Sequence, residues 1–340
     1  MNRNPIYDRA KGLGIILVVY GHLFKYGSLP FSIIFSFHMP LFLIISGVLF
    51  TPPNWKNIED RRKWYKKIFV SYTVPFAFFS FLGGFARYII DGIVNYRVAA
   101  KEFLHNIGSD EMMTGALWFI GLLAIAMIIL PILLTYDRGK SKRMVLVVFL
   151  LTLISYLCDT TRHMSHFPIL PFRLRSLSAV VMYLYLGHIL KKPIARMIYC
   201  SFKFKIIFFV AFPLFFVLAC MNQTVNIAVP VYHDLLIYIY CSLYGTIFVL
   251  LISCHRLPVF IEYIGRQSLF FFAVHAIWIT VFVKIVNTYF GTSFKPMIDL
   301  PSYMIGVGGV VVVIMSAVTT FFVLPVYKKI NEFIYSYLNM

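Results

Sequence analysis

The chain has 340 residues, 60% of them hydrophobic and only 13% charged, more apolar surface than a soluble core of this size can bury. Its 31 Lys and Arg against 13 Asp and Glu leave a net charge of +18, yet the basic residues fall in short runs between apolar segments, not along one polar face, which argues against nucleic acid as a partner. The five cysteines are odd in number and lack CxxC spacing, so neither a disulfide framework nor a metal site is indicated.

Ten apolar spans are predicted at 12–27, 31–50, 68–90, 115–135, 144–158, 174–190, 206–221, 234–253, 267–290 and 301–324. With the N terminus inside, 22 of the 31 Lys and Arg lie on the cytoplasmic side. The expected fold is therefore an all-α integral membrane protein, a polytopic bundle of about ten transmembrane helices with both termini cytoplasmic, forming one domain over 1–340. Pro75, Pro131 and Pro325 are expected to mark kinks or span ends. Gly306, Gly308 and Gly309 are expected to allow close helix contact in the last span.

The first span, DRAKGLGIILVVYGH over residues 8 to 22, carries a lysine at one end and a histidine at the other. Lys11 and His22 are eleven residues apart, about three helical turns, which leaves them within roughly 20° of one face and about 16 Å apart along the axis. Arg9 falls on nearly the opposite face. Lys11 is expected at the cytoplasmic boundary, and His22 in the outer half of the bilayer, about five residues before the helix ends. The second span, SFHMPLFLIISG, runs back inward and brings His38 to a depth comparable to that of His22. Ionisable residues inside the membrane are rare and usually mark a functional path, although a single histidine can also be a satisfied member of the bundle.

The run from Lys11 to His22 ending in Gly-His, followed by FHMPLF (Phe37 to Phe42) with Ser46 and Gly47, resembles the acyltransferase-3 family of membrane acyltransferases, in particular its fucose 4-O-acetylase-like, polysaccharide O-acetyltransferase branch. ALWFIGLL (Ala116 to Leu123), YLYLGHILKK (Tyr183 to Lys192) and IEYIGRQSLFFFAVH (Ile261 to His275) are similar to later elements of the family, so the resemblance covers most of the chain. One departure is Lys11, where many members carry arginine. The charge is kept and the bidentate fork is lost.

The resemblance implies transfer of an acyl group, most often acetyl, from cytoplasmic acetyl-CoA to a hydroxyl of a glycan or lipid-linked saccharide, in what would be a bacterial inner membrane, with no metal. Basic residues at the inner boundary would meet the polyanionic donor: Lys11, Lys66, Lys67 and Arg266 by position, with Lys66 and Lys67 equally well read as topology signals. His22 would either deprotonate the acceptor hydroxyl or briefly carry the acyl group. His38 would orient His22 or donate to the developing oxyanion, or simply be held by a backbone carbonyl. His275, about eight residues into the ninth span, is expected in the donor half and not beside His22. Trp118, Glu102, Arg162 and Arg173 are candidates to hold a sugar at the outer side, a solvated loop and an interfacial tryptophan being the plainer readings. A transporter or flippase of a lipid-linked glycan would share the span count and intramembrane charges, but it should carry matching interrupted helices in its two halves, and no such symmetry is visible in the sequence.

Overall fold

The computed structural model describes residues 4–91, 117–137, 141–160, 171–200, 202–228 and 231–337. Within them the chain is an all-α polytopic bundle, and each of the ten predicted spans has a helical counterpart. Six apolar helical stretches, among them the interrupted Leu29–Leu49, are long enough to cross a membrane, and the apolar stretches of the rest are shorter. Large apolar side chains such as Phe321, Phe322 and Val310 face outward from the last helix, as in a protein solvated by lipid. The protein is an integral membrane protein.

Helix α1 (Pro5–Gly21) starts earlier than its apolar run because Asn4 caps it, Oδ1 accepting from the Ile6 amide at 3.0 Å, with Pro5 in the first turn. It also stops earlier, with His22 as the C-cap residue, so His22 closes the helix and does not lie five residues inside it. A hydropathy window reads the apolar stretch and misses both caps. α1 sits at the centre of the bundle, packed against six other helices, with Ala10, Ile15, Val18 and Val19 buried.

The second span is broken into α2 (Leu29–Phe35) and α3 (His38–Leu49). The break is satisfied from outside: the Ser36 carbonyl accepts from Ser242 Oγ at 3.0 Å, and the Tyr183 hydroxyl donates to that Oγ at 2.9 Å. A non-helical residue at membrane depth is tolerated when its backbone finds such partners. It places His38 at the start of α3.

Next come α4 (Ile58–Asp91), α5 (Leu117–Asp137) and α6 (Ser141–Thr160), then a 3₁₀ turn (Pro171–Ser176) into α7 (Leu177–Ile189) and the short α8 (Lys191–Ile198). The seventh span is α9 (Phe202–Val210) and α10 (Phe212–Met221), parted at Ala211 ahead of Pro213. Then follow α11 (Leu235–Ser253), the short α12 (Val259–Arg266), α13 (Ser268–Phe290) and α14 (Ser302–Tyr337). Pro75, Pro131 and Pro325 all lie inside helices, so none of them ends a helix.

Two crossings are too close for a β-carbon. One at Gly47 would overlap the Leu184 carbonyl and one at Gly187 the Ile44 carbonyl, so α3 and α7 meet backbone to backbone. Gly12 against Ile261 and Gly265 against Asp8 do the same for α1 and α12. In α14, Gly308 packs on Phe282 and Gly309 on Tyr20, while at Gly306, which was expected to share that role, a β-carbon would meet nothing within 4 Å.

Among the described residues, Arg9, Arg266 and Lys205 gather at one end of the bundle. Arg9 pairs with Glu262 at 3.5 Å and donates to the Ser253 and His255 carbonyls, tying the start of α1 to the end of α11 and to α12. The Tyr335 hydroxyl, near the end of α14, lies 3.4 Å from Ser71 Oγ on α4, so the start of α1 and the end of α14 lie on this side.

Candidate active site

Lys11 and His22 open onto two different cavities. Lys11 lines one of about 240 Å³ on the basic side, walled by Ser46 and Phe42 of α3, Ser71 and Tyr72 of α4, Phe119 of α5, and Ser268 of α13. His22 and His38 line a second, of about 200 Å³, bordered also by Asn226, Ala228 and Met297 from two loops, with Met39 and Trp118 on its walls. Phe272 belongs to both walls.

Besides α1, three helices contribute to both walls: α3 has Met39 on one side and Phe42 on the other, α5 has Trp118 and the adjacent Phe119, and on α13 Phe272 serves both. The Phe272 ring lies 5.2 Å from that of Phe119 and 6.4 Å from that of Phe42. The divide is a layer of aromatic rings.

Three imidazoles stand on the far side of that layer. His22 is partly open to its cavity, and none of the described residues hydrogen-bonds its ring. The His38 Nδ1 is 2.9 Å from the Ile34 carbonyl and must donate to it, leaving Nε2 as an acceptor in the neutral ring. An acceptor nitrogen suits holding a hydroxyl or an imidazole N–H, and it does not suit an oxyanion unless the ring is protonated. The Phe35 ring touches both His22 and His38, at 5.8 and 4.6 Å between centroids.

His275 departs from expectation. Its ring lies 5.4 Å from that of His22, so it belongs to the His22 cluster and not to the donor half. The reason is α12. Because Gly265 meets the backbone at Asp8, α13 begins already level with the second turn of α1, and Ser268 shares the Lys11 cavity. Seven residues further along, about 10 Å at helical rise, His275 has climbed past the aromatic layer. Its Nδ1 donates to the Phe272 carbonyl at 2.7 Å.

Among the remaining candidates, Trp118 is buried in the wall of the His22 cavity. Lys66 and Lys67 stand one turn before Ser71 and Tyr72, at the basic end of the Lys11 cavity, not in its wall. Arg266 is paired with Glu262, the same carboxylate that holds Arg9, and it ends α12 two residues ahead of Ser268. Glu102 and Arg162 lie outside the described residues. So does the side chain of Arg173, although its backbone is in the 3₁₀ turn. Among the described residues no three His, Cys, Asp or Glu side chains come together as a metal-ligand set.

Three wall residues escaped the sequence reading. Phe272 is one of 35 phenylalanines and carries no signal apart from its spacing of three from His275. Asn226 is a turn former, its Oδ1 accepting from the Ala228 amide at 3.0 Å. Met297 is held by a loop pinned on Asn287, and its carbonyl accepts from the Tyr26 amide, next to the end of α1.

The model of an acyltransferase domain, that of the acyltransferase-3 family, matches residues 4–323 of the chain. The chain belongs to this family. No curated protein and no solved structure matches it. In this acyltransferase the segments that carry the resemblance serve two physical purposes: Gly12, Gly47, Gly187 and Gly265 make the close crossings, while FHMPLF and the Leu117–Phe119 segment straddle the aromatic layer.

Proposed function

We propose that this acyltransferase is an O-acetyltransferase of the fucose 4-O-acetylase-like branch, moving acetyl from cytoplasmic acetyl-CoA to a hydroxyl of an envelope glycan or lipid-linked saccharide in a bacterial inner membrane. The observation that carries this reading is the placing of one cation and one imidazole, borne by a single helix, in two cavities that meet at one side chain. The Lys11 cavity suits the donor. An ammonium at the basic end of the bundle favours phosphate, and the apolar wall beyond it suits the pantetheine arm. The His22 cavity suits the acceptor, with Trp118 in its wall as a face for a sugar ring.

In the direct route, His22 takes the proton of the acceptor hydroxyl as its oxygen attacks the thioester carbonyl. The C–O bond forms, the C–S bond breaks, and the proton passes to the CoA thiolate, which leaves as a thiol. In the covalent route a His22 nitrogen attacks first and releases the thiol, and the hydroxyl then displaces the acyl-imidazole. Labelled CoA exchanging into acetyl-CoA without acceptor would mark the covalent route.

The test is the ester content of the envelope glycan, read by NMR or mass spectrometry, in cells carrying the unchanged gene, no gene, or the His22→Ala form at matched membrane abundance. An ester that depends on the gene and disappears with His22→Ala supports the proposal. An ester that survives His22→Ala removes His22 from the chemistry. No gene-dependent ester rejects acetyl transfer to a glycan.

A further inference from the structure

We infer that Phe272 is the residue that sets the length of the acyl group this enzyme transfers. The inference rests on the acyl-transfer reading above.

Donor and base stand on opposite sides of the aromatic layer, so a thioester whose CoA portion lies in the Lys11 cavity must present its carbonyl past Phe272 to reach His22. Among the described residues Phe272 is the one side chain common to both cavity walls, and it is only 7% exposed. Phe119 and Phe42 pack on it from the donor side, and on the other side its ring is 5.6 Å from that of His275. The His275 hydrogen bond to its carbonyl fixes the backbone that carries the ring. Once the carbonyl carbon is beside His22, the acyl tail has only the histidine-side space left, and that space is shared with the acceptor. A methyl needs little of it. Each further methylene must displace either the acceptor or the Phe272 ring.

Cutting Phe272 back to its β-carbon would join the two cavities through the volume the ring now fills. Hydrophobic pockets discriminate single methylenes by about 10- to 200-fold, so removing the wall should erase a preference of that size. A conservative change separates shape from bulk: Phe272→Leu keeps an apolar plug but loses the flat ring, and should fall between the two.

The experiment uses membranes from cells producing the full-length protein, given equimolar deuterated acetyl-CoA and butyryl-CoA, with the acyl esters released from the glycan fraction counted by mass spectrometry. The expected result is an acetyl-to-butyryl ratio that drops at least tenfold in Phe272→Ala and partway in Phe272→Leu. Trp118→Ala, on the acceptor side of the layer, should change total ester and leave the ratio alone. Unchanged ratios in both Phe272 variants, with acetyl transfer retained, overturn the inference and leave the transfer reading intact. If Phe272→Ala fails to accumulate, the Phe272→Leu ratio decides by itself. If the unchanged protein forms no CoA-dependent ester, the transfer reading fails and this inference with it.

Discussion

His22, the C-cap residue of α1, and His275, at the end of the second turn of α13, stand ring to ring at 5.4 Å between centroids. An imidazole so placed can hold the orientation of its neighbour, and its own orientation is fixed by the Phe272 carbonyl. His22→Ala should lower turnover by about 100- to 10,000-fold, the usual contribution of a general base. His275→Ala should lower kcat by less, with little change in KM for acetyl-CoA. His275→Asn keeps a donor for the Phe272 carbonyl but removes the ring. Steady-state kinetics in detergent would show whether it behaves like alanine, as expected of a positioning residue, or like the unchanged protein, which would reduce His275 to a structural role.

Lys11 should act on donor affinity and not on the chemical step. A hydrogen bond to a charged group is worth about 1.5 to 3 kcal/mol, so Lys11→Ala should raise KM for acetyl-CoA by roughly 10- to 100-fold. Lys11→Arg should restore most of it. A fall in kcat at unchanged KM would place Lys11 in the chemistry instead.

The glycine crossings separate packing from function. Gly47→Ala and Gly187→Ala each push a methyl into a facing carbonyl and should cost about 1 to 3 kcal/mol or more. Gly306→Ala meets open space and should be neutral, or gain up to about 1 kcal/mol in helix propensity. Thermal unfolding in detergent would check the contrast. Equal midpoints for the three variants would contradict the crossing geometry.

The break before His38 depends on Ser242. Ser242→Ala strips the Ser36 carbonyl and the Tyr183 hydroxyl of a buried partner and should cost about 1 to 2 kcal/mol. Membrane hydrogen bonds are often weaker, averaging about 0.6 kcal/mol, so Tyr183→Phe, which leaves the Ser36 bond in place, should fall near that figure. Unfolding midpoints of the two variants, measured side by side, test the order.

The helical segments were legible because lipid imposes one rule on every span, and apolar length reports it directly. Lys11 and His22 were legible for a related reason: a charge and an imidazole eleven residues apart on one helix have a phase that can be worked out without knowing any other helix. The depth of His275 was not. It depends on α12, an eight-residue helix whose Gly265 seats against the backbone of Asp8. A close approach of that kind is set by the surface of a distant segment and has no local signature. Phe272 was hidden for a different reason: in a chain with so many phenylalanines, a ring that partitions two cavities has the same composition as one that faces lipid.

The partition at Phe272 also bears on the energy of the membrane itself. A lysine cavity opening toward the basic face and a histidine cavity bounded by the opposite loops would, if joined, be a chain of titratable groups through the bilayer, with an imidazole able to pass protons from one side to the other. Such a path would discharge any proton gradient across the membrane that houses it. The aromatic rings of Phe42, Phe119 and Phe272 stand between the two cavities, and in the proposed transfer from one face to the other they would spare the membrane such a leak.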